Sequence, residues 1–168
     1  IQPPILFRLH DQLKMQMGMA AIDGELKVMR ERVKDLFISL KPDVVITWGP
    51  SGWTGHHDHR LVSTIVTEVF QTQKRDKPAQ LYYSAIPSGS FPINGPMEQA
   101  TVDSTYLPVK ISISEADYDK ALSSWHCHKS QYTPETIEGM HQLLKNSLKG
   151  TAYFTPVAAS AVEKNTLF

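Results

Sequence analysis

Between Asp23 and Ile86 the apolar residues change their period repeatedly, and this restricts the fold class more than any other feature of the chain. Leu26, Met29, Val33, Leu36, Phe37 and Leu40 recur at helical spacing and form one apolar face, with Asp23 placed to cap and Pro42 just past the end. The lysines and arginines between them read as its solvated face. The next segment, DVVITW, is β-branched and continuously apolar, which predicts a strand buried on both faces. After a glycine-rich run, Leu61, Ile65, Val66, Val69 and Phe70 return to helical spacing up to a KRDKP turn, and QLYYSAI reads as another strand. This order predicts parallel βαβ units, because a crossover of this length carries a helix over the sheet face.

The flanking segments extend the α/β pattern. Residues 5 to 9, ILFRL, read as a short strand, and MQMGMAA after them as a Met-rich loop. PSGSFPINGP, residues 87 to 96, reads as a loop, either a lid or an excursion. YLPVKISI predicts a strand, Ser114 with Asp117 a capping-box start to a helix reaching about Trp125. Thr133-Pro134 opens the last helix, Gly150 closes it, and AYFTPV supplies a final strand. No internal repeat, low-complexity tract or linker is visible, so residues 1–168 read as part of a single domain.

Charge limits the partners. With 17 basic and 17 acidic side chains the formal net charge is zero, leaving no basic field for a polyphosphate backbone, so nucleic acid is excluded as an expected partner. No apolar run approaches a membrane span and no secretory leader is visible. The single cysteine, Cys127, cannot form an internal disulfide and reads as a small buried filler, which fits a reducing compartment, with the cytoplasm favoured.

The chemistry concentrates in GPSGWTGHHDHRLVS, Gly49 to Ser63, where His56, His57, Asp58 and His59 stand together after a strand and at the start of a helix. In an open parallel sheet that is the crevice where ligands bind. The positive end of the helix dipole disfavours imidazolium and so favours a neutral ring able to donate a lone pair to a metal. Asp58 could accept a ring N–H and fix which nitrogen points inward, and Gly49, Gly52 and Gly55 would let the backbone approach a small ligand. Equally, Asp58 could be the N-cap of the following helix and the histidines a solvated loop. Catalytic zinc commonly has three protein ligands, and adjacent side chains diverge, so this cluster supplies one or two at most.

TWGPSGWTGHHDHRLVS resembles the second signature of the LmbE-like or PIG-L family of zinc-dependent N-deacetylases, approximately fGPdGxxGHpDHxa. The upstream KPDVVIT, the downstream CHKSQ (Cys127 to Gln131) and the closing TLF fit the same family, so the resemblance covers nearly the whole chain. It implies a Rossmann-like three-layer sandwich with a mostly parallel sheet, and hydrolysis of N-acetyl groups from N-acetylglucosamine-type conjugates. By position, His59 would be the zinc ligand, His56 would polarise the acetamide carbonyl or protonate the departing amine, and Asp58 would hold His56 in orientation. Zinc would act as Lewis acid, with the histidine donating to the developing oxyanion.

The family's first signature, A-H-P-D-D-E, which supplies further zinc ligands and the general base, does not occur here. The chain therefore reads as an amino-terminally truncated member, the carboxyl-terminal portion of one deacetylase domain with its front strands missing, inactive alone and able to self-associate through the exposed edge. His57 stands where the family has proline, which bears on loop rigidity rather than on the ligand set. Asp11 after the first strand matches a sugar-binding position, or forms a turn. Trp53 and Thr54 shape the pocket, Trp53 by stacking on a sugar face. His128 in CHKSQ matches a position near the site, or is a helix-end histidine. His10, His126 and His141 read as structural or surface residues. Two alternatives stand beside the deacetylase: a non-catalytic binding module on the same fold, and a metal-dependent hydrolase of another amide or ester.

Overall fold

The computed structural model of the chain describes residues 3–9, 19–73, 78, 80–91 and 101–157. They fall into two compact units, one reaching Ser84 and taking in Pro156 and Val157, the other running from Ala85 to Thr155.

The first unit contains α1 (Met19–Leu40), β1 (Val44–Trp48), α2 (Gly52–Gly55), α3 (His57–Thr72) and most of β2 (Gln80–Pro87). β1 and β2 pair in parallel, Val44 opposite Gln80 and Trp48 opposite Ser84, as the crossover length predicts. Met29, Val33 and Phe37 of α1 pack with Ile65, Val66, Val69 and Phe70 of α3 and Leu81 of β2, so the two stripes read from spacing meet in one core. Arg30 and Glu68 join the two helices at the rim through Nε to Oε1 at 2.6 Å and Nη2 to Oε2 at 3.0 Å.

Three expectations in this unit need correction. α1 starts at Met19, so Met19 to Ala21 belong to the helix and not to a loop. β1 is not buried on both faces: Thr47 is buried but Ile46 is 49% exposed, because Val45 lies against the helical core while, among the described residues, β1 pairs only with β2. ILFRL forms no strand: Arg8 has φ +53°, and the Phe7 carbonyl accepts from the Arg32 side chain instead of a ladder partner.

In the second unit the end of β2 pairs in parallel with β3 (Thr101–Val102), and β4 (Val109–Ser112) pairs antiparallel with β5 (Thr151–Pro156), Val109 opposite Phe154 and Ser112 opposite Thr151. The pairings are therefore mixed, and the architecture is α/β at a coarser level than the mostly parallel, Rossmann-like sandwich expected. The predicted strand YLPVKISI shrinks to Val109–Ser112 because Asp103 caps a 3-10 turn, Ser104–Tyr106, accepting from Thr105 N at 2.8 Å. α4 (Glu115–Trp125) opens with the predicted capping box: Ser114 Oγ accepts from Asp117 N at 3.3 Å and Asp117 Oδ2 from Ser114 N at 2.9 Å. Hydrogen bonds from the Ser114 hydroxyl and then its backbone hold the Asp117 carboxyl below its ordinary value. Thr133 caps α5 (Pro134–Leu148), with Pro134 at its first position. The 87–96 loop is described only as far as Phe91, which is buried. Cys127 is exposed rather than buried, because it sits in the turn just beyond α4.

His141 on α5 is 6% exposed, stands edge-on to Tyr118 at 6.0 Å, and has neither ring nitrogen paired among the described residues. A buried polar group without a partner costs about 1–3 kcal/mol. His141→Leu, which removes both nitrogens and raises helix propensity, is expected to stabilise the protein by ~1 kcal/mol, read as a higher urea midpoint. A lower midpoint would show that the imidazole is satisfied. Among the described residues no helix is long and apolar enough to cross a membrane.

Candidate functional site

The histidine segment is built by a turn that only glycine can make. From Trp48 the chain leaves β1, and Gly52 N donates to Gly49 O at 2.9 Å. Gly52 has φ +65°, and a Cβ there would lie 2.8 Å from Arg60 Cγ and 3.1 Å from both Arg60 N and His59 Cβ. Trp53 also has positive φ, +61°, an uncommon conformation for an aromatic residue. Two bonds hold it: its indole N–H donates to Ser84 O at 3.1 Å, and its backbone N–H donates to Ser51 Oγ at 3.3 Å.

α3 is capped by His56, not by Asp58. His56 Nδ1 accepts from Asp58 N at 3.3 Å, and its carbonyl accepts from Arg60 N at 3.1 Å. Asp58 instead lies in the first turn, where its charge complements the helix dipole. The Asp58 backbone N–H thus holds one ring nitrogen of His56, and the half-buried Asp58 helps line an apolar cavity of about 760 Å³ with Ile5, Leu6, Leu61 and Val62.

These bonds place the ring protons. His59 Nδ1 lies 3.0 Å from Gly52 O, and a carbonyl only accepts, so Nδ1 carries a proton and, in the neutral ring, Nε2 keeps its lone pair. In His56 the reverse holds: Nδ1 accepts a backbone N–H, so the proton sits on Nε2. The two rings lie 5.0 Å apart between centroids, tilted by 39°. One presents a lone pair and its neighbour a hydrogen-bond donor.

The indole of Trp48 stacks on His59 at 4.2 Å with planes only 10° apart, and Trp53 meets Trp48 edge-on at 5.0 Å. Trp48 escaped the sequence reading, although an aromatic residue ending a strand just before a glycine-rich turn was the available signal. Of the residues expected to form the site, His56, His59 and Trp53 come together here. Thr54 is exposed at the turn. His128 is exposed in the turn after α4, in the second unit. Asp11 lies outside the described residues.

The tautomer of His59 fits one metal-ligand position. Catalytic zinc commonly takes three protein ligands. Among the described residues no group of three or more His, Cys, Asp and Glu side chains is arranged to hold an ion, so they do not assemble the remaining ligands.

No family model matches the chain. It is similar to the 1D-myo-inositol 2-acetamido-2-deoxy-alpha-D-glucopyranoside deacetylase of Gordonia bronchialis, 24% identical over 148 residues, covering 76% of this chain and 52% of that protein. The chain therefore spans about half the length of this curated relative. The similarity is distant.

Proposed function

We propose that the chain contributes one side of a metal-dependent N-deacetylase site acting on an N-acetylated sugar conjugate, completed by residues of a longer parent polypeptide. The observation that carries this reading is the opposite proton placement on His56 and His59. A hydrolase of an unactivated amide needs a lone pair to hold a Lewis acid and a donor for the oxygen on which charge develops. The relative's name, a deacetylase of a 2-acetamido sugar, supports the choice of acyl group and substrate class.

His59 Nε2 would hold the metal, which when bound polarises the carbonyl and activates water. Gly52 O keeps the proton on the opposite nitrogen, so the donor atom stays available. His56 Nε2–H would donate to the developing oxyanion or pass its proton to the leaving amine. The Asp58 backbone N–H keeps the proton on that nitrogen. Trp53 gives its indole N–H to Ser84 O, so it contributes ring surface to this wall rather than a polar group.

The test is acetate release from an N-acetylglucosaminyl conjugate by the whole gene product, with and without zinc. Release that needs zinc and stops on chelation is expected. Zinc retention with release from another amide or ester would move the substrate class. Neither retention nor release would favour a binding module.

A further inference from the structure

We propose that Trp48 is the positioning residue for His59, fixing the plane of the imidazole so that its Nε2 lone pair is aimed in one direction. Gly52 O fixes one ring nitrogen, but a single hydrogen bond leaves the ring free to swing about it. The Trp48 face, 4.2 Å away and within 10° of parallel, removes that freedom. Together a carbonyl and an aromatic plane determine position, tautomer and tilt, and such advance ordering of a ligand is where supporting residues contribute affinity.

Trp48 is itself supported. It ends β1, whose pairing sets Trp48 opposite Ser84, and the carbonyl of Ser84 anchors the indole N–H of Trp53. Trp53 then stands edge-on to Trp48 at 77°, bracing it through an aromatic pair. Trp53 holds this place with a positive φ of 61°. The order of support runs from Ser84 to Trp53, Trp48 and His59. The proposal rests on reading His59 as a metal ligand, and its test separates the two.

The test uses the whole gene product with zinc alone, read at the imidazole carbon-bound protons of His59, assigned with His59→Gln. In the wild type these protons sit upfield because the indole ring current acts on them, and zinc changes their positions. Trp48→Met, which keeps apolar bulk but removes the flat face, is expected to abolish the upfield shift and weaken zinc binding ~10-fold, within the range found for residues that orient ligands. Trp48→Phe keeps a plane and is expected to restore most of both. Zinc binding equal in wild type and Trp48→Met, with the upfield shift lost, overturns the positioning role and leaves His59 as a ligand. Zinc that moves no His59 resonance in the wild type overturns the ligand reading and the positioning role with it. Wild-type ring protons at ordinary solvent-exposed positions refute the stack directly, even if Trp48→Met fails to fold.

Discussion

His56→Ala is expected to reduce acetate release by ~10²- to 10⁴-fold while leaving zinc affinity and KM nearly unchanged. The asymmetry follows from the tautomer. With Nδ1 occupied by the Asp58 N–H, the His56 ring offers a donor and no lone pair, so it can aid the reaction without holding the metal. Interactions formed mainly in the transition state raise kcat rather than substrate affinity. His56→Asn should restore much of the helix cap, because asparagine accepts from the same backbone N–H, yet recover little of the rate. Steady-state kinetics with a zinc titration on both variants checks this. A fall in zinc affinity equal to the fall in rate would make His56 a ligand.

The second large effect concerns a residue with no side chain. Gly52→Ala is expected to destabilise the protein by about 1–3 kcal/mol, since it puts a Cβ on a backbone with positive φ and into a space already filled. The consequence for function is larger. The closest atoms to that Cβ belong to Arg60 and His59, and the Gly52 carbonyl is the acceptor for His59 Nδ1. Moving the turn moves the acceptor, so zinc affinity should drop by ~10-fold or more. Gly55, which also has positive φ but open space around it, is the control: Gly55→Ala should carry the backbone cost without the loss of zinc binding. A chemical denaturation midpoint and a zinc titration on each variant separate the two. Equal effects at both positions would remove Gly52 from the site.

How much of this was legible in the sequence varied with the range of the interaction. The apolar spacing of Met29, Val33 and Phe37, and of Ile65, Val66 and Val69, located the core because helical periodicity is local. The continuous apolar run in β1 marked a strand but misjudged its burial, since what covers Ile46 depends on pairing partners that the segment itself does not encode. ILFRL shows the same limit from the other side: a short apolar run gives no information on whether a ladder partner exists. At the site, the residue types of the His56–His59 cluster were visible, but their division of labour was not. Histidine is an uncommon N-cap, so Asp58 was the natural candidate for that task, whereas His56 takes it and Asp58 lies in the first turn. Trp48 was missed because its stacking on His59 joins the end of a strand to the first turn of the next helix, and only the intervening glycine turn brings them together.

The central claim is that His59 is held as the Nδ1–H tautomer with Nε2 open to a metal. The direct measurement is the ring nitrogen spectrum of the ¹⁵N-histidine-labelled whole gene product at neutral pH, before and after zinc. The account predicts a protonated Nδ1 and a bare Nε2 at His59, with zinc perturbing Nε2 and leaving the Nδ1 proton in place. A His59 ring protonated at Nε2, or one whose nitrogens do not respond to zinc, would contradict it.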